Sequence, residues 1–236
     1  MATFLLIHGA GSDARYWARV SPPLRDAGHE VVAPDLPVAD DDADLESYAA
    51  ASLNALGERT PTRPIVVVGQ SMGAFTAPIV AERLHADLLL LLCPMIPAPG
   101  EAVGAWFANV GQAEAAHAYA AVEGFDPEGD VAEILLHDVP ADLVRDLVAQ
   151  GAPPQAEGIF ASVFPLERWP AIPTAVIAGR DDRLFPLALI RRLAAERVPG
   201  APVQVIESGH LPGFSRPEEL AELLVRQLEL LSPSAG

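Results

Sequence analysis

One cysteine, Cys93, stands in the 236 residues, so no internal disulfide forms, no paired thiolates offer a metal site, and the redox compartment is unconstrained. It closes the apolar run Leu88 to Leu92 and reads as a small apolar residue at a strand end. Basic residues are scarce: 15 against 32 acidic ones, a formal net charge of −17. Nucleic acid and anionic membrane surfaces repel such a chain, which excludes both as partners. Long hydrophobic runs are missing too. The longest, Ala86 to Met95, is interrupted by Asp87 and falls far short of the roughly 20 residues that span a bilayer. No basic stretch followed by an apolar one opens the chain, as a secretory signal requires, so a cytoplasmic location is the expectation. Metal and phosphate motifs are also lacking: there is no His-Glu-x-x-His, no spaced carboxylate loop and no glycine-rich phosphate loop. Gly9-Ala10-Gly11 lacks the third glycine of a dinucleotide fingerprint, and the Asp40-Asp41-Asp42-Ala43-Asp44 run, without spaced ligands, reads as solvated loop. Neither a metal nor a cofactor is expected.

What remains is an ordinary globular composition, half hydrophobic and 20% charged, at a length suited to one body with a full core. Apolar runs at Thr3 to His8, Glu30 to Ala33, Ile65 to Gly69, Asp87 to Leu92, Thr174 to Gly179 and Val203 to Ile206 read as strands. Continuous apolarity implies burial on both faces, hence an α/β fold with a mostly parallel sheet of about six strands flanked by helices. Helical patterns fall at Ala14 to Ala27, Leu45 to Arg59, Met72 to His85, Leu187 to Val198 and Pro217 to Leu231. The alternation stops once, over 95–171, where only helical pieces appear between proline-rich margins. The expected division is a core of 1–94 and 172–236 with a small helical cap, 95–171, inserted at a strand end where it would roof the ligand crevice.

Ile65 to Gly73 reads Ile-Val-Val-Val-Gly-Gln-Ser-Met-Gly, a buried-strand pattern breaking at Gly-x-Ser-x-Gly and followed by a helical stretch. A serine hydroxyl is a weak nucleophile, and a sharp strand-to-helix turn presents it to a base and to substrate. Ser71 is the candidate. The base should follow the last strand, where Glu207-Ser208-Gly209-His210-Leu211-Pro212 supplies His210; His117 and His137 lie in the 95–171 segment and read as surface or packing residues. The acid should follow the preceding strand, where Asp181 and Asp182 are adjacent and compete. Oxyanion donors are expected from the amide of Met72, at a helix N-terminus, and from Ala10 in the His8-Gly9-Ala10-Gly11 loop. His8 reads as a residue holding that loop.

With these residues the chain resembles an α/β-hydrolase over essentially its whole length. Within that superfamily it is similar to the branch of plant methylesterases of the salicylate esterase type and hydroxynitrile lyases, with their bacterial relatives. The matching stretches are His8 to Gly11, Trp17 to Pro37, Gly69 to Gly73, Pro97 to Glu101 and Ser208 to Pro217. The resemblance implies a triad of Ser71, Asp182 and His210, which favours Asp182 and leaves Asp181 open, with Ala10 and Met72 as amide donors. Hydroxynitrile lyases carry threonine in place of Gly9 and a lysine in place of Leu211 to handle cyanide. Esterase chemistry therefore fits better here. The residue before the nucleophile, histidine in the branch, is Gln70.

The expectation is a cofactor-independent serine hydrolase of a small, fairly apolar carboxylic ester or lactone. Trp106, Phe107, Phe160, Phe164, Trp169 and Leu211 are candidate pocket walls. Its partner is a small-molecule ester, with neither nucleic acid nor membrane, and a homodimer stays open. The competing readings are lyase-type cleavage on the same triad and a non-catalytic small-ligand receptor.

Overall fold

The computed structural model describes residues 1–58 and 60–231. β1 (Thr3–Ile7) leads through a 3-10 turn at Ala14–Trp17 into α1 (Ser21–Asp26), β2 (Glu30–Val32), α2 (Leu45–Asn54), β3 (Ile65–Gln70), α3 (Gly73–Leu84) and β4 (Leu88–Leu92). Five helices follow without a strand: α4 (Trp106–Asn109), α5 (Gln112–Glu123), α6 (Val131–Leu135), α7 (Ala141–Gln150) and α8 (Gly158–Ala161). β5 (Thr174–Gly179), α9 (Leu187–Arg197), β6 (Val203–Ile206), α10 (Pro212–Ser215) and α11 (Pro217–Glu229) complete the described chain. Two expected helices are corrected. Ala14 to Ala27 divides, because Pro22 and Pro23 lack the amide hydrogens that would join one helix across Ser21. Leu45 to Arg59 ends at Asn54, and Arg59 lies outside the described residues.

The six strands form one parallel sheet in the order β2-β1-β3-β4-β5-β6. Successive side chains point to opposite faces, so each strand feeds two cores. Leu5, Ile7, Val67, Leu89, Leu91 and Val176 pack with Tyr48, Phe75, Ile79 and Leu193 from α2, α3 and α9. Phe4, Leu6, Val66, Val68, Leu90 and Ile177 pack with Trp17, Leu24, Leu220 and Leu224 on the α1 and α11 side. A sheet covered on both faces needs strands without polar alternation, which is the pattern of the sequence. The acidic run stays outside the core as expected; its last member, Asp44, caps α2 by accepting the Ser47 amide hydrogen at 2.8 Å.

Strand order places the site. From β1 the chain steps outward to β2 and returns on the other side of β1 as β3, so the crossovers part between β1 and β3. Ligand crevices open beyond the carboxyl ends of strands at such a point. Gly9 follows β1 there, and Ser71 follows β3.

The helical segment between β4 and β5 is fixed at its base by a buried ion pair. Arg197 on α9 donates to Glu101 Oε2 at 2.6 Å and Oε1 at 3.1 Å, and to the Ile96 carbonyl at 2.7 Å. Glu101 also accepts from the Ala98 amide and Asn109 Nδ2, so both oxygens are fully used while its side chain is 4% exposed. Removing one partner of such a pair strands the other charge away from water. Arg197→Met is therefore expected to cost about 3–5 kcal/mol of stability. Urea denaturation measures it, and a loss below about 1 kcal/mol would mean that Glu101 finds other compensation.

Candidate active site

Ser71 sits where β3 turns into α3, with φ of 51°, in the left-handed region that a residue bearing a Cβ disfavours. Such a conformation costs of order 1–3 kcal/mol and persists only where the surroundings over-determine it. Here they do. The Ser71 amide donates to the Leu92 carbonyl at 3.0 Å, and its own carbonyl accepts from Met95 at 3.0 Å and Ala74 at 3.1 Å. The flanking glycines permit the close approach that the turn demands: a Cβ at Gly69 would lie 2.6 Å from Ala77 Cβ, and one at Gly73 2.7 Å from the His8 carbonyl oxygen.

Two further strand ends converge on this turn. The loop after β6 brings His210 Nε2 to 3.0 Å from Ser71 Oγ, and the loop after β5 brings Asp182 Oδ2 to 2.8 Å from His210 Nδ1. A carboxylate only accepts, so the imidazole proton sits on Nδ1 and the Nε2 lone pair faces the serine hydroxyl. Asp182 is wholly buried, and its second oxygen accepts from the amides of Leu184 at 3.0 Å and Phe185 at 2.8 Å. Asp181 is exposed, its amide bonded to the Ser208 carbonyl. Of the two adjacent aspartates, only Asp182 meets the imidazole.

The amides of Ala10 and Met72 have no hydrogen-bond partner among the described residues, which leaves both free to donate. His8 holds the loop after β1: Nδ1 bonds to the Gly9 carbonyl at 2.9 Å, and Nε2 accepts from the Leu36 amide at 3.4 Å. Burial lowers its pKa below the ordinary 6.5. His29 moves the same way, through burial and then the N-terminal ammonium. As pH falls through 6.5, an unfolded chain takes up a proton at His8 before the folded one does. The stabilising contribution is therefore complete above that pH and lost below it. His8→Asn is expected to flatten the fall in unfolding free energy between about pH 7 and 5 relative to the parent. Parallel profiles for the two chains would remove His8 as a source.

Four side chains at the site make contacts that the sequence reading did not assign. Phe185 stands edge-on to His210, ring centroids 4.8 Å apart, and closes one side of the imidazole. Gln70, 2% exposed, donates from Nε2 to the His210 carbonyl at 3.4 Å, which accounts for the residue that departs from the branch pattern. Cys93 packs beside the relay: one atom each from Cys93, Asp182 and His210 lie within 4.8 Å of one another. Burial, and then the charge of Asp182, pushes the thiol pKa well above its usual range. A thiol kept protonated is a poor nucleophile and a poor metal ligand, and the imidazole and carboxylate already hold each other. The fourth is Asp138 of the helical segment, whose Oδ2 accepts from the Gly209 amide at 2.7 Å.

The expected pocket walls separate. Trp106 is fully buried, with Nε1 on the Ile96 carbonyl and its ring against Phe185, so it supports the site from behind. Phe164 is 1% exposed and packs on Phe75. Trp169 bonds to Thr174 Oγ1 at the start of β5, at the opposite end of the sheet from Ser71. Trp106 and Phe164 thus lie in the core, and Trp169 stands away from Ser71: apolar bulk alone does not say which end of a strand a side chain attends. Phe107, Phe160 and Leu211 keep exposed surface. His117 is exposed and pairs with Glu128, away from the relay, whereas His137 lies against Gly209, next to His210.

A parallel six-stranded sheet carrying a serine at the β3 turn, with acid and histidine on the loops after β5 and β6, defines the α/β-hydrolase class. A family model described as the alpha/beta hydrolase family matches residues 4–223, and the chain belongs to that family. It is similar to a "Probable esterase PIR7A" of Oryza sativa subsp. indica, 33% identical over 112 residues. That match spans 43% of this chain and 42% of the rice protein, less than half of either. A "Pyrethroid hydrolase" of Sphingobium wenxiniae is 28% identical over 246 residues, 93% of this chain and 85% of its own length. Among solved structures, the methylesterase MES16 from Arabidopsis superposes with a TM-score of 0.76 at 21% identity, covering 98% of this chain and 100% of that one. Among the described residues no helix is long and apolar enough to cross a membrane.

Proposed function

We propose that the chain is a cofactor-independent serine hydrolase that cleaves a small, fairly apolar carboxylic ester or lactone through an acyl-enzyme. The observation that carries this reading is the buried relay from Asp182 through His210 to Ser71 Oγ, in a tautomer able to accept the serine proton. Ser71 Oγ attacks the carbonyl carbon while His210 Nε2 takes its proton. The amides of Ala10 and Met72 receive the oxyanion, and Met72 adds the favourable end of the α3 dipole. Collapse breaks the bond to the leaving alkoxide, which takes the proton from His210. Water, activated by the same nitrogen, then releases the acid and frees Ser71. Residues 95–171 act as a cap, with Phe107, Phe160 and Leu211 offering the apolar surface. The names of the rice and Sphingobium relatives agree with ester hydrolysis.

Lyase chemistry on cyanohydrins is disfavoured by the site itself. A Cβ at Gly9 would lie 2.9 Å from Ser71 Cβ and 2.5 Å from Gln70 Oε1, so the threonine of that branch does not fit. Leu211 follows the histidine and the chain contains no lysine, so no ammonium stands ready for a departing anion. A receptor would have no use for a strained serine aligned on a base. The test is turnover of a panel of p-nitrophenyl esters of rising acyl length, paired with fluorophosphonate labelling and peptide mapping. Turnover with a single label on Ser71 is expected. Ligand binding with neither turnover nor label would replace the hydrolase by a receptor.

A further inference from the structure

We propose that Asp138, in the helical segment between β4 and β5, is a positioning residue for His210, tying the placement of the imidazole to the seating of the cap. The inference rests on the hydrolase reading above and adds a member to its machinery. Asp138 reaches the loop after β6 from 71 positions away and accepts the amide hydrogen of Gly209, the residue that precedes His210, at 2.7 Å. A bond from an amide to a charged acceptor is about twice as strong as a neutral one. Gly209 is gripped on its other side as well: its carbonyl accepts from Ser208 Oγ at 3.0 Å and lies 3.9 Å from Cys93 Sγ. Both backbone polar groups of the residue before the base are therefore held, the carbonyl from the core side and the amide from the cap.

The approach is close enough to decide which residue stands at 209. A Cβ there would lie 2.7 Å from Asp138 Oδ1 and 2.8 Å from His137 Nε2. Both of those atoms are buried without a protein hydrogen-bond partner among the described residues. Polar atoms buried in this way cost free energy unless the group does something else. A packing residue at this junction would be apolar. The same stretch of cap also grips the acid loop. Arg183, next to Asp182, donates from Nη1 to the Glu133 carbonyl at 2.7 Å and lays its guanidinium over the Phe125 ring at 4.5 Å. Residues 125–138 thus brace the loops of both acid and base, while the backbone of Ser71 is held elsewhere, by Leu92, Ala74 and Met95. Displacing a base by about 1 Å costs on the order of 100-fold in rate, so the brace acts on turnover.

Asp138→Ala and Asp138→Asn separate positioning from simple packing. The alanine variant loses the acceptor; the asparagine keeps an oxygen for the Gly209 amide and loses only the charge. We expect Asp138→Ala to lower kcat on a p-nitrophenyl ester about 10- to 100-fold with KM within about threefold, and Asp138→Asn to recover most of it. A purely structural role would lower the melting temperature of both variants and leave kcat of the folded protein alone, which overturns the proposal. Hydrogen exchange in peptides covering Ser208 to Phe214 gives a readout independent of activity. Faster exchange by about tenfold is expected in Asp138→Ala, and unchanged exchange overturns the brace. If the parent neither turns over the ester nor labels with fluorophosphonate, the hydrolase reading fails, and exchange alone then decides whether the brace exists.

Discussion

Ser71→Ala is expected to lower kcat for a p-nitrophenyl ester by about a millionfold, with KM little changed and the melting temperature within a few degrees of the parent. The size follows from what is left behind. His210 and Asp182 keep their 2.8 Å bond, and the amides of Ala10 and Met72 stay without a partner among the described residues, so substrate is expected to bind as before. No atom remains to attack. What persists is the modest acceleration, of about a thousand- to ten-thousandfold over water, that binding and oxyanion donors supply without a nucleophile. The fold survives because Ser71 is held through its backbone, by bonds to Leu92, Met95 and Ala74 that alanine makes equally well. Steady-state kinetics at high enzyme concentration measure the drop. A loss of less than about a hundredfold would place the reacting group elsewhere.

The sheet was legible because a doubly covered strand has nowhere to hide a polar residue. All six expected strands are present, with ends shifted by a residue at most. The serine turn, the acid loop and the histidine loop were legible for a related reason. In a parallel sheet every strand ends on the same side, so chain order translates directly into shared position. The choice between Asp181 and Asp182 was not legible from the residues alone, since adjacent loop side chains point in different directions and nothing local says which turns inward.

Between β4 and β5 the sequence showed helical pieces, at Gln112 to Val122, Val131 to His137 and Asp142 to Gln150, and α5, α6 and α7 stand there; how they pack was not legible, because they bury little. Neither α6 nor α7 contains a buried residue, and the four-residue α4 and α8 are set by tertiary contacts and not by periodicity. Asp138 is the sharpest case. Its carboxylate is one among 32 acidic residues, and its partner is a backbone amide 71 positions later, which no local pattern announces. Gln70 is the reverse case, a visible departure whose meaning needed the fold. Its amide reaches the His210 carbonyl from the position just before Ser71, so the strand end that carries the serine also bonds to the loop that carries the histidine.

Asp182→Asn is expected to lower kcat about ten-thousandfold, and Asp181→Asn to stay within about twofold. The asymmetry is set by two backbone amides. Leu184 and Phe185 both donate to Asp182 Oδ1, at 3.0 Å and 2.8 Å. An asparagine must keep its oxygen there, because turning its NH2 toward them would set donor against donor in a site closed to water. That choice aims the NH2 group at His210 Nδ1. The imidazole then gives up the proton at Nδ1 and carries it on Nε2, where it meets the Ser71 hydroxyl as a donor and no longer as a base. Geometry is preserved and the tautomer is wrong. Asp181, exposed and among the described residues bonded only through its amide to the Ser208 carbonyl, has no such lever on the imidazole. Kinetics of the two variants on one ester, with circular dichroism to show equal folding, decide between the aspartates. A larger loss in Asp181→Asn would overturn the assignment of the acid.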